Sequence, residues 1–225
     1  MDGAYLFEPY VGEFYGKSSS CLSRKVLILG ASHYCDGCTG ERKVTDFGEK
    51  TPCSGCDGRF TKCVVADYLD PTKKVDRKKK SYTWKATHSK FYNAMLDHRP
   101  VDRAVLVKSI AFYNYLQWIE GVSPDDKHPE KFWLSEFKDF NEKCFVKLMR
   151  EIQPDVILVW GSNVRNNFPI DRFDKWMKDD KKFGGRLCKA EFEERPVSIC
   201  FCVHPSGRFR RAEHADVFNK LKLFK

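Results

Sequence analysis

The chain has 225 residues, 42% of them apolar, and a formal net charge of +9 at pH 7. That length and apolar content support one domain with a real core and exclude wholesale disorder. No apolar run approaches the roughly 20 residues of a membrane span, and the opening MDGAYLFEPY has neither the basic nor the apolar region of a secretory signal. A cytoplasmic, monomeric protein with no membrane contact is therefore expected. The 10 cysteines then read as reduced thiols or metal ligands rather than a disulfide framework. The excess positive charge is clustered, which favours an anionic partner, with nucleic acid the first candidate.

Residues 4–16, AYLFEPYVGEFYG, are rich in aromatics and broken by Pro and Gly, so they read as an irregular arm that packs on the domain or lines a pocket. The first strand is expected over 25–29. It is a continuous apolar run closed by Gly30 and then by Ala31-Ser32-His33-Tyr34, the pattern of a strand buried on both faces with polar residues at its carboxyl end. Such ends are where open α/β sheets hold ligands.

An irregular insert then runs to about Pro71. It carries Cys35-x2-Cys38, a gap of 14 residues, and Cys53-x2-Cys56, with Cys63 following. Four thiolates in paired knuckles can converge on one tetrahedral ion, so Cys35, Cys38, Cys53 and Cys56 are the expected ligands of a structural zinc. An iron–sulfur cluster is the alternative that the same ligands suit, and Cys63 is a possible substitute ligand. An insert over 35–63 with so few apolar residues gains most from such a staple. Residues 72–85, TKKVDRKKKSYTWK, form the densest basic run, with Tyr82 and Trp84 interleaved. Lysines there can neutralise phosphates and the rings can stack on bases, or the run is simply a solvated loop.

Downstream, residues 86–97 read as a helix and 104–113 as a second strand ending in Asn114. An Asn at a strand end can donate and accept at once, as reading the edge of a pyrimidine requires, though such a residue is often only a turn or cap. A long amphipathic helix is expected over 130–152. A third strand spans 156–160 and closes in Gly161-Ser162-Asn163. A short helix is expected near 170–177 and a fourth strand over 197–203, ending in His204-Pro205-Ser206-Gly207-Arg208-Phe209-Arg210. A helix over 212–223 ends the chain. Strands separated by helices imply a parallel sheet with crossover connections.

The four strand ends, GASHY at 30–34, Asn114, WGSN at 160–163 and HPSGRFRR at 204–211, together resemble the uracil-DNA glycosylase superfamily. The match covers most of the chain outside the cysteine insert and the basic run. It implies a single domain over 1–225 of three-layer α/β/α architecture, with a central four-stranded, mainly parallel sheet, and hydrolysis of the bond between a flipped base and deoxyribose in DNA. By that resemblance, His204 donates to the pyrimidine O2, Asn114 fixes the base edge, and Gly30 and Tyr34 shape the pocket. Ser162, Asn163, Ser206, Gly207 and Arg210 approach phosphates, and Arg208 and Phe209 form a wedge. A base must leave the duplex before it can be attacked, and negative charge developing on the departing base is stabilised by a fixed donor.

One departure stands out. Family members commonly carry Asp, Asn or Glu just after the glycine to handle water, and this chain has Ala31 and Ser32. Either Ser32 or His33 orients the water, or a carboxylate arrives from elsewhere, with Asp36 and Glu8 nearest, or this copy is inactive. Uracil is the default substrate and a bulky modified pyrimidine of the kind found in phage DNA the alternative, with a role in phage defence. A non-catalytic binder of modified or single-stranded DNA and a zinc-stapled nucleic-acid adaptor are the rival readings.

Overall fold

The computed structural model describes residues 5–31, 60–69, 83–117, 135–178 and 186–225. One mixed sheet organises them. Its seven strands are β1 (Tyr10–Val11), β2 (Val26–Gly30), β3 (Ile110–Asn114), β4 (Val156–Trp160), β5 (Lys175–Lys178), β6 (Arg186–Phe192) and β7 (Arg195–Cys202). The spatial order is β1-β3-β2-β4-β7-β6-β5. The four central strands, β3, β2, β4 and β7, are mutually parallel, while β1, β6 and β5 pair antiparallel at the flanks. Val26 to Leu29 and Val156 to Val159 are fully buried, as strands covered on both faces require.

Six helices accompany the sheet among the described residues: α1 (Phe60–Leu69), α2 (Thr83–Leu96), α3 (Arg103–Lys108), α4 (Ser135–Ile152), α5 (Gly161–Asn166) and α6 (Arg211–Lys220). On one face, Val26, Ile28, Phe112, Leu158 and Trp160 pack against Phe91, Tyr92 and Met95 of α2 and Val217 and Phe218 of α6. On the other, Leu27, Leu29, Tyr113, Ile157 and Val159 meet Cys144, Phe145, Leu148 and Met149 of α4. Alternation along each strand divides its side chains between the two cores. No helix of the described residues is long and apolar enough to cross a membrane.

The helices that follow β2, α1 and α2, lie with the first core, while α4, which follows β3, lies with the second. Neighbouring strands thus send their successors to opposite faces. In open α/β sheets that divergence opens a crevice at the carboxyl ends of the two strands. Here those ends are Gly30 and Asn114, which sit directly opposite each other.

The structure corrects several expectations. Among the described residues the sheet has seven strands, with the four expected ones as its parallel centre. The first half of the run expected as one strand over 104–113 is α3, because Asp102 caps it by accepting from the Ala104 N–H at 2.6 Å. The chain then enters β3 after Ser109. The helix expected near 170–177 is a single 3₁₀ turn, Ile170–Arg172, followed by β5, which pairs with β6. The hairpin of β6 and β7 turns on Glu193 and Glu194, both at positive φ (48° and 64°). Two-residue hairpins favour Asn-Gly at such positions, so a Glu-Glu pair gave no turn signal. The end of the cysteine insert is not irregular: 60–69 form α1, whose Val65 is buried in the first core. The aromatic arm contributes β1, and Phe7 is fully buried.

Candidate active site

The first half of the site is a backbone and an amide in contact. A Cβ built on Gly30 would lie 2.3 Å from Asn114 Oδ1 and 3.0 Å from Phe112 Cζ. Only glycine lets the Asn114 carboxamide lie across the end of β2. Parallel pairing continues past the strand ends, with Tyr115 donating to the Gly30 carbonyl and Leu116 to the Ala31 carbonyl, both at 2.9 Å. Gln117, fully buried, braces this corner. Its Nε2 donates to the Asn114 carbonyl (2.9 Å), its Oε1 accepts from Phe7 N–H (2.9 Å), and its own N–H donates to Asn141 Oδ1 (3.0 Å). These bonds hold the Asn114 backbone, and its side chain hydrogen-bonds to none of the described residues.

The second half is His204, one residue beyond Val203 at the end of β7. The Ser206 backbone N–H donates to His204 Nδ1 at 3.3 Å, and Ser206 Oγ lies 2.6 Å from the same nitrogen. A backbone N–H can only donate, so Nδ1 carries a lone pair and the ring proton is on Nε2. Partial burial pushes the His204 pKa below its ordinary value, which keeps the ring neutral. The turn is closed by Gly207 N–H donating to the His204 carbonyl at 2.8 Å. Gly161, at φ +85°, passes beneath the ring: a Cβ there would lie 3.2 Å from His204 Cβ. Trp160 meets the imidazole edge-on, with ring centres 6.1 Å apart.

A second histidine lies below. His88 of α2 is buried, with its Nδ1 3.0 Å from the Tyr92 hydroxyl and its ring 5.0 Å from Phe112 and 5.1 Å from Trp160. Burial first, and the nearby His204 second, lower its pKa to about 3. Its spacing with Phe91, Tyr92 and Met95 was the only sequence signal, since position 88 falls on the apolar stripe of that helix. Gln117 and Asn141 gave none, because no local spacing links them and their pairing is long-range.

Of the other expected site residues, Ser162 and Asn163 are exposed on the first turn of α5. Ser206, Gly207 and Arg208 are exposed in the turn after His204. Arg210 is exposed and paired to Glu213 at 2.9 Å. Phe209 corrects its expected role as a wedge: it turns inward, stacking on His214 with ring centres 3.9 Å apart and packing 5.9 Å from Phe91. Arg208 is the exposed member of that pair. Ala31 is half-buried against the second core, and Glu8, one of the two candidate carboxylates, is ion-paired to Lys62 of α1. Ser32, His33, Tyr34, Asp36, all four CxxC cysteines and most of the basic run lie outside the described residues. Cys63 is exposed on α1.

The site therefore combines an amide, a neutral N–H donor and a closely approached glycine backbone at the carboxyl ends of parallel strands. The fold is mixed α/β. No protein-family model matches the chain, and no curated protein matches its sequence.

Proposed function

We propose that this chain is a DNA glycosylase with the site architecture of the uracil-DNA glycosylase superfamily, hydrolysing the N-glycosidic bond of a flipped pyrimidine. The observation that carries the reading is the neutral His204 with its proton on Nε2, set at the same sheet end as the Asn114 carboxamide, which no described residue engages. A pyrimidine leaving from C1′ gathers negative charge on N1 and O2. A preorganised Nε2–H is the donor that such charge needs, and a neutral imidazole supplies it without first losing a proton. Asn114 offers one donor and one acceptor to the base edge. Water adds to C1′ as the C1′–N bond breaks, leaving an abasic sugar and the free base. Ser162, Asn163, Ser206 and Gly207 approach the phosphates, and Arg208 takes the gap left by the base. The paired cysteines hold zinc or an iron–sulfur cluster in a structural role.

The test is a panel of oligonucleotides carrying uracil and several decorated pyrimidines, in single and double strands, scored for abasic sites. Release of one base by this chain or by Ala31→Glu, lost in His204→Ala, is the expected result. No release of any base by either protein refutes the enzyme reading. Ala31 favours one alternative, a non-catalytic binder of modified DNA, because a half-buried methyl group handles no water. Tight DNA binding without release by either protein selects it. Metal analysis that finds neither zinc nor iron removes the cysteine cluster.

A further inference from the structure

His214, on the first turns of α6, lies outside every role assigned above. It is buried, and both ring nitrogens are committed. Nε2 accepts the Val203 N–H at 3.3 Å, so the proton is on Nδ1, which donates to the Arg210 carbonyl at 2.8 Å. Val203 and Arg210 are the two ends of the segment that carries His204, Ser206 and Arg208. One imidazole therefore ties the exit of β7 to the entry of α6. Phe209, from within the same segment, stacks on that ring at 3.9 Å, 28° from parallel. The segment has its own internal bonds, Gly207 to the His204 carbonyl and Ser206 to His204 Nδ1, but these fix its shape and not its attachment to the sheet.

We infer that His214 is a positioning residue: its Nε2 bond to the Val203 N–H, one residue before His204, fixes where the His204 Nε2–H points, while its Nδ1 bond to Arg210 orients the clamping ring. Its consequence for base release rests on the function proposed above; the clamp itself does not. The two histidines must then hold opposite tautomers: His204 with its proton on Nε2, His214 with its proton on Nδ1. The two carboxamide substitutes divide the clamp. Gln at 214 places an acceptor where Nε2 sits and keeps the Val203 bond. Asn reaches only as far as Nδ1 and keeps the Arg210 bond alone.

The experiment is long-range nitrogen–proton NMR of the imidazoles in the full chain, with the amide spectrum as the check on folding. The wild-type protein is expected to show His214 as a single Nδ1–H form and His204 as a single Nε2–H form. In His214→Asn the His204 ring signals are expected to lose their wild-type positions and broaden, with the proton still on Nε2 because the Ser206 bond is internal to the segment, and in His214→Gln to stay as in wild type. Base release is expected to fall by about tenfold or more in His214→Asn and to stay within about threefold in His214→Gln, as a misaligned donor requires. An Nε2–H or averaged His214 in the wild-type protein overturns the clamp, and that measurement needs no variant to fold. Unchanged His204 signals in folded His214→Asn overturn it too, as does their equal loss in folded His214→Gln. Absence of base release by both the wild-type protein and Ala31→Glu strikes the proposed function alone, since the NMR outcomes decide the clamp without it.

Discussion

Replacing Gly30 by alanine tests the contact on which the site is built. The added Cβ would stand 2.3 Å from Asn114 Oδ1, so the carboxamide must retreat by about 1 Å to reach ordinary contact. It is the end of a side chain, so it moves by leaving its preferred rotamer, at about 0.5–1.5 kcal/mol. Phe112 Cζ, at 3.0 Å, adds a smaller strain. Alanine also narrows the unfolded ensemble, a stabilising effect of about 0.4–1 kcal/mol that does not depend on residue 114. A double-mutant cycle separates these contributions. Urea unfolding of wild type, Gly30→Ala, Asn114→Ala and the double variant is expected to give a coupling of about 0.5–1.5 kcal/mol, with alanine at 30 better tolerated once Asn114 is truncated. Additivity within about 0.3 kcal/mol would refute the reasoning, because it would mean that Asn114 does not lie over the strand end. Under the proposed function, the same 1 Å shift lowers base release by about a hundredfold.

Gly161→Ala is expected to cost about 1–3 kcal/mol in urea unfolding, since its φ of +85° disfavours any Cβ and that atom would crowd His204; a loss under about 0.5 kcal/mol would contradict the backbone conformation. Changing Glu193-Glu194 to Asn-Gly is expected to stabilise the protein by about 1–2 kcal/mol, because both positions have positive φ. The exposed Arg150–Glu193 pair lost in the exchange offsets little of that, and a net destabilisation would count against a two-residue turn there. His88 gives a pH signature. Its folded pKa is depressed to about 3, so as pH falls the unfolded chain binds the proton first. Its contribution is intact above about pH 6.5 and is lost progressively toward pH 3, by about 2–3 kcal/mol at pH 4.5. Unfolding measured at pH 7 and pH 4.5 is expected to show a smaller acid loss in His88→Phe than in wild type, and equal losses would exclude a buried neutral His88. Arg208→Ala is expected to reduce the salt dependence of DNA binding by about one counterion, with Arg210→Ala, whose charge is already paired, changing it less.

Much of the sheet was readable from residues alone. VLILG and VILVW are continuous apolar runs bounded by turn residues, and both became fully buried central strands. Their polar ends identified the carboxyl edge as the place for a site, and Gly30, Asn114, Gly161 and His204 do gather along it. The helices expected from apolar periodicity over 86–97 and 130–152 correspond to α2 and α4, at 83–96 and 135–152 among the described residues. Misread elements were those whose state depends on a partner distant in sequence. KWMK at 175–178 has no strong preference and becomes a strand because β6 offers it a ladder. AVLVK at 104–108 has strand composition, but the Asp102 cap makes it helical.

Within the site, the sequence by itself determined the inventory: a glycine, an amide and a histidine at the ends of hydrophobic runs, because burial dictates where such runs lie and glycine dictates where backbones approach. Only the tertiary structure decided the chemistry of those groups. The His204 tautomer depends on the N–H of Ser206 folding back onto Nδ1. The Asn114 amide, which no described residue engages, is carried on a backbone that Gln117 holds. Phe209, expected in the wedge, became an anchor, because an apolar surface of His214 and Phe91 lay within reach. Side-chain identity limits what a residue can donate, accept or bury, but which of these it does is set by neighbours brought in from elsewhere in the chain.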